Sequence, residues 1–184
     1  LCRDVAFDVL QTARQDGADL VLMGYPEENP AITETIEYGA PCDVVYAGRG
    51  ATAEALSTLT IGTGGGPHQR ALLELANGLG QAGTSVHLVN VTPTGEGGTG
   101  EDPAEEISGL AEVESVQVHN VTASSVAEGL VSTARDNGGT LLIGASRDRR
   151  LRQWVFGSTP DRVVARARRA DVPVLVYAST QSVP

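Results

Sequence analysis

The chain contains no lysine. All 13 basic residues are arginine, set against 23 aspartates and glutamates, for a net charge of −10 over 184 residues. Such a balance excludes general nucleic-acid binding, which needs a basic footprint. It fits a protein kept soluble in concentrated salt, where screening removes long-range self-repulsion and carboxylates hold water and cations. A salt-adapted source is therefore expected, although GC-rich codon usage also favours arginine over lysine. Aromatic residues make up only 4% of the chain, so the core must be built from Val, Leu, Ile and Ala. Two cysteines, Cys2 and Cys42, make neither a disulfide framework nor a metal set, and Cys42, just before a strand, reads as a small core residue. The histidines His68, His87 and His119 show no i, i+4 pairing, so no metal site is expected. The longest apolar runs, such as Leu141-Leu142-Ile143, are of strand length and far from the roughly 20 residues of a membrane span. No signal-peptide pattern opens the chain, which points to a cytoplasmic location. The first residue is Leu1 rather than Met, so a piece of a longer protein is expected.

What is present is an alternation of helical and strand patterns. Apolar positions at Val5, Phe7, Val9, Leu10 and Ala13 mark a helix over 4–16, stopped by Gly17. Strands are predicted at 19–24, 44–46, 56–63, 85–91, 114–121, 141–144 and 172–177. Helices are predicted at 31–39, 67–81, 124–136 and 159–169, with a short one at 103–111. Pro67 suits the start of its helix. The stretch 92–102 is rich in Gly, Thr and acid and reads as a loop. Strands alternating with helices of this length predict an α/β fold with a doubly wound parallel sheet.

The chain also repeats itself. Thr12-Ala13-Arg14 recurs as Thr133-Ala134-Arg135, each followed by a Gly-containing turn and a strand ending in Gly. Leu22-Met23-Gly24 matches Leu142-Ile143-Gly144 at an offset of 120 residues, and Val45-Tyr46-Ala47 matches Val176-Tyr177-Ala178 at an offset of 131. On that alignment the first copy is shorter by 11 residues between its strands. Residues 1–50 thus read as the second half of a domain, and 55–180 as a complete one, with 48–54 as the linker.

Parallel sheets bind ligands in loops at the carboxyl ends of their strands, near the point where strand order reverses. Two loops qualify: Thr63-Gly64-Gly65-Gly66 after the first complete strand, and the stretch from Gly144 to Gly157-Ser158-Thr159. Glycines let backbone approach a phosphate, and a helix start offers N–H groups and partial positive charge. The same residues also suit plain strand ends and helix caps. An arginine cluster adjoins the second loop: Arg147, Arg149, Arg150 and Arg152, then Arg162, Arg166, Arg168 and Arg169. The first four suit an anion, and Arg168 and Arg169 suit the helix C-terminus. Trp154 and Phe156 read as packing residues. The loops hold no Ser-His-Asp set, metal cluster or paired acids, so the chain is not expected to be an enzyme.

Gly144, two residues, Arg147, nine residues, then Gly157-Ser158 opening a helix resembles the phosphate motif of the universal stress protein family. The likeness covers 57–178 as a full repeat and 4–47 as a half repeat. It implies an adenine nucleotide α-hydrolase-like sheet of five strands in the order 3-2-1-4-5, extended by the half-domain. It implies an ATP or AMP site at Thr63, Gly64, Gly144, Ser146, Arg147, Gly157, Ser158 and Thr159. It also implies pairing through the last strand, as a homodimer or as a pseudo-dimer within one chain, in which strand 44–46 would pair antiparallel with strand 174–177. Tandem modules of this family occur fused behind membrane transporters, so a haloarchaeal amino-acid transporter is an implied attached partner. Arg147 stands where the family motif has its second glycine, and Gly64 where the family has an aspartate near adenine and ribose. An arginine cannot cheaply take a glycine's positive φ. The implied function is a regulatory sensor of an adenine nucleotide or other anion. The competing reading is a ligand-free dimerisation or interaction domain.

Overall fold

The computed structural model describes residues 4–25, 31–64, 69–95, 114–145 and 159–179. Helix α1 (Val5–Gln15) starts at Asp4, whose extended backbone lets its carboxylate accept from the Ala6 and Phe7 N–H groups. After it come β1 (Leu20–Gly24), α2 (Ala31–Gly39) and β2 (Asp43–Ala47). A single 3-10 turn, Ala55–Ser57, leads into β3 (Thr58–Gly62), so this strand begins two residues later than its sequence suggests. Then follow α3 (Gln69–Gln81), β4 (Ser85–Pro93), β5 (Val116–Ala123), α4 (Val126–Asn137), β6 (Thr140–Gly144), α5 (Thr159–Arg169) and β7 (Val174–Ala178). The short helix predicted at 103–111 and most of the loop at 92–102 lie outside the described residues.

Helix α4 is closed at both ends by its own sequence. The Ser125 hydroxyl accepts from the Glu128 N–H, and Gly138 takes the left-handed conformation at φ 72° and donates to Ala134. Gly139, next along, runs so close to β3 that a Cβ would lie 2.2 Å from the Thr58 carbonyl oxygen. The last strand starts at 174 rather than 172 because Val172 still donates to Ala167 in the helix terminus. Pro173 has no N–H to offer, and its carbonyl accepts from Leu141.

The seven described strands form one sheet in the order β1-β2-β7-β6-β3-β4-β5. Read from β3 onward, the five strands of the complete repeat stand as 3-2-1-4-5, all parallel. The half repeat extends the sheet: β1 pairs parallel with β2, and β2 pairs antiparallel with β7. On one face α1, α2, α4 and α5 cover a core that includes Leu10, Ile36, Val44, Leu130, Ile143, Val163 and Val176. On the other face α3 packs on Val45, Leu59, Ile61, Leu88, Leu142 and Tyr177. Cys42 is buried, as expected of a small apolar residue.

The repeat is real, but its second offset needs correction. Val21 pairs with Val44, and its counterpart Leu141 pairs with Val174; both pairs face the four-helix side. Val44 therefore corresponds to Val174, an offset of 130, and the first copy is shorter by 10 residues rather than 11. Matching the tyrosines slips the register by one, which would turn every side chain to the wrong face. Tyr46 and Tyr177 in fact point to opposite sides of the sheet. With the corrected offset the β2–β7 seam is symmetric about the Tyr46–Val176 pair, and the Gly48 N–H extends it by donating to Val174 at 2.7 Å.

Each tyrosine ties its own side of the seam. The Tyr46 hydroxyl donates to the wholly buried Glu37 of α2, and its ring meets Tyr25 edge-on at 5.9 Å. The Tyr177 hydroxyl donates to Asp43. Burial, and the nearby Asp43 carboxylate, push the Tyr177 phenol well above its ordinary range.

Candidate ligand site

The connection after β3 runs to β4 on one side, while β6 lies on the other. The carboxyl ends of β3 and β6 are therefore the reversal point where such sheets form a crevice. The structure brings Thr63, Gly64 and Gly144 to this edge, and Thr159 opens α5 just beyond it. Ser146, Arg147, Gly157 and Ser158 lie outside the described residues, as do Arg149, Arg150, Arg152, Trp154 and Phe156.

Thr63 is the informative residue. Its N–H donates to Val89 at 2.9 Å, which holds it against β4. The residue is only 2% exposed, and its hydroxyl oxygen is buried with no hydrogen-bond partner among the described residues. A buried hydroxyl left unsatisfied costs about 1–3 kcal/mol, so its presence at a strand end calls for a reason. Beside it Gly62 packs beneath α4, where a Cβ would stand 3.0 Å from Leu130. Gly64 is the opposite case: it is exposed, and a Cβ there would meet nothing within 4 Å. The position that the resemblance assigns to an aspartate thus has room for one. On the β6 side, Ala145 donates to Tyr177 at 2.8 Å, which fixes the strand end that leads into the second loop.

The arginines of α5 divide in two. Arg166 meets Glu128 of α4 at 3.0 Å; a hydrogen bond from Ser124, and after it the Arg166 charge, holds the Glu128 carboxyl below its usual range. Arg168, at the C-terminal end, lines a cavity of about 360 Å3 with Tyr25, Gly48, Arg49, Asp171 and Val174. This cavity is not at the predicted loops. It lies at the opposite edge of the sheet, where β1 and β2 end and β7 begins. Antiparallel joining of the two repeats sends their strand ends to opposite edges.

Sequence reading missed one further cluster. His87 of β4 and His119 of β5 stand with Nδ1 and Nε2 3.0 Å apart. Helical spacing was the wrong test for them, because strand pairing joins residues 32 positions apart. Among the described residues, no group of three or more His, Cys, Asp and Glu is placed to hold a metal ion. No described helix is long and apolar enough to cross a membrane.

Comparison with known proteins agrees with this fold. The model of the universal stress protein family matches residues 56–178. A universal stress protein from Archaeoglobus fulgidus superposes with a TM-score of 0.65 at 17% identity, covering 95% of this chain and 65% of that one. A protein from Pseudomonas aeruginosa described as a universal stress protein gives 0.59 at 14% identity, covering 93% and 67%. The chain spans about two thirds of the length of these two structures, and at such identities the likeness is one of fold. No curated protein matches the chain.

Proposed function

The chain belongs to the universal stress protein family, and from that premise we propose that it is a regulatory module that senses an adenine nucleotide, or a similar anion, without chemistry of its own. The single observation that carries this reading is the buried, unpartnered Thr63 hydroxyl at the carboxyl end of β3. A phosphate or ribose oxygen arriving between the two strand ends would give it a partner. Gly144 and Thr159, with Ser146, Gly157 and Ser158, would supply backbone N–H groups and hydroxyls around the same anion. Gly64 and Arg147 are where the site departs from the family pattern, and they are expected to weaken nucleotide binding or shift it to another anion.

The test is calorimetric titration of ATP, ADP and AMP with magnesium, in molar salt, on the wild type, Thr63→Val, Arg147→Gly and Gly64→Asp. Micromolar binding by the wild type, weakened about tenfold or more by Thr63→Val, makes the chain a sensor. Binding gained only with Arg147→Gly or Gly64→Asp makes it a domain that has lost its ligand.

A second reading rests on a different observation: β2 covers the edge of β7 within one chain. On this reading the fold serves interaction, as an intramolecular pseudo-dimer, and no ligand is needed. Absence of binding in every variant would favour it. On the first reading an attached membrane transporter is a candidate output, checked by whether nucleotide alters transport in the fused protein.

A further inference from the structure

The pair of histidines belongs to none of this. His87 is the third residue of β4 and His119 the fourth of β5, on neighbouring parallel strands. Val89 and Val91, which alternate with His87 along β4, pack into the four-helix core, so both rings stand on that face of the sheet. The ring centroids are 5.2 Å apart at 35°, and both residues are half-buried. The Ser85 hydroxyl lies 3.5 Å from His87 Nε2 and supports the ring from its far side. We propose that His87 and His119 form a two-histidine site for a borderline divalent cation of the Zn2+, Ni2+ or Cu2+ class.

The geometry carries the argument. Imidazole nitrogens bind such metals at about 2.0–2.1 Å, so two ligands about 90–110° apart stand about 2.8–3.4 Å from each other. The observed 3.0 Å lies within that bite; with ring centroids 5.2 Å apart the nitrogens now face each other nearly head-on, so both rings would turn to converge on a metal. A metal between the facing nitrogens needs both of them unprotonated, with each ring carrying its one proton on the far nitrogen. For His87 the far nitrogen is Nε2, which faces Ser85, the kind of outer partner that orients a metal-bound imidazole. Imidazole selects these metals over Mg2+ and Ca2+, which prefer oxygen. Water would fill the remaining coordination positions. The net charge of −10 favours a cation anywhere near the surface.

The test is titration of the full, tag-free chain with Ni2+ alone, which does not oxidise cysteine, on the wild type, His87→Gln and His119→Gln. The expected result is one equivalent bound by the wild type and a rise in its unfolding temperature. Each variant should weaken binding by at least the about 10–100-fold that loss of an outer partner costs. Undiminished binding in both variants, or none in the wild type at millimolar Ni2+, overturns the proposal. Should a variant fail to fold, sub-stoichiometric Ni2+ on the wild type decides by proton NMR. Selective broadening of two of the three histidine rings supports the site, and broadening confined to acidic residues sinks it.

Discussion

The half repeat and the second half of the complete repeat share an order of elements, yet they live in different surroundings. Strand β6 lies between β3 and β7 and is buried along its first four residues, Thr140 to Ile143. Strand β1 stands at the end of the sheet, paired on one side only among the described residues, and Leu20 and Leu22 are exposed. Leu22 is 65% exposed and its counterpart Leu142 is 2% exposed. The difference teaches that these strands owe their burial to neighbours. The same Leu-apolar-Gly ending is core in one place and surface in the other.

The sharpest test of that contrast is the leucine pair. Leu142→Ala should lose about 2–5 kcal/mol by urea unfolding, through lost burial and a cavity. Leu22→Ala should stay within about 0.5 kcal/mol. Equal losses would mean that something covers β1 in solution. The turns between helix and strand give a smaller contrast. Gly139→Ala drives a methyl into the Thr58 carbonyl and should cost about 1–3 kcal/mol or move the backbone. Gly17→Ala meets no atom within 4 Å, and should cost about 1 kcal/mol for its φ of 62° alone.

Smaller again is the seam. Tyr177→Phe removes the bond to Asp43 and should cost about 1 kcal/mol at neutral pH. Its signature is at high pH. The unfolded phenol ionises near about 10, while the folded one holds its proton further up. Stability present below about pH 10 therefore falls as pH rises past it, and Tyr177→Phe should flatten that decline. Arg166→Ala should have the least effect, below about 1 kcal/mol, because the Glu128 contact is half-exposed and salt screens it.

Most of the fold was legible because periodicity and punctuation agree. Gly17, Gly39 and Gly138 stand at or just past the ends of α1, α2 and α4, and the alternation of helix and strand gave the parallel sheet. The register between the repeats was not, because identical letters at Tyr46 and Tyr177 outweighed a parity that only strand pairing reveals. The site was legible as loops but not as chemistry. Thr63 reads as an ordinary strand-end threonine until its burial is known. The two histidines look scattered until β4 and β5 lie side by side.

The seam between β2 and β7 has a consequence for mass action. Two strands that meet from separate molecules part on dilution, and their melting temperature follows concentration. Here both strands belong to one chain, so the connecting residues set a fixed effective concentration. Their pairing survives at any dilution the cell imposes.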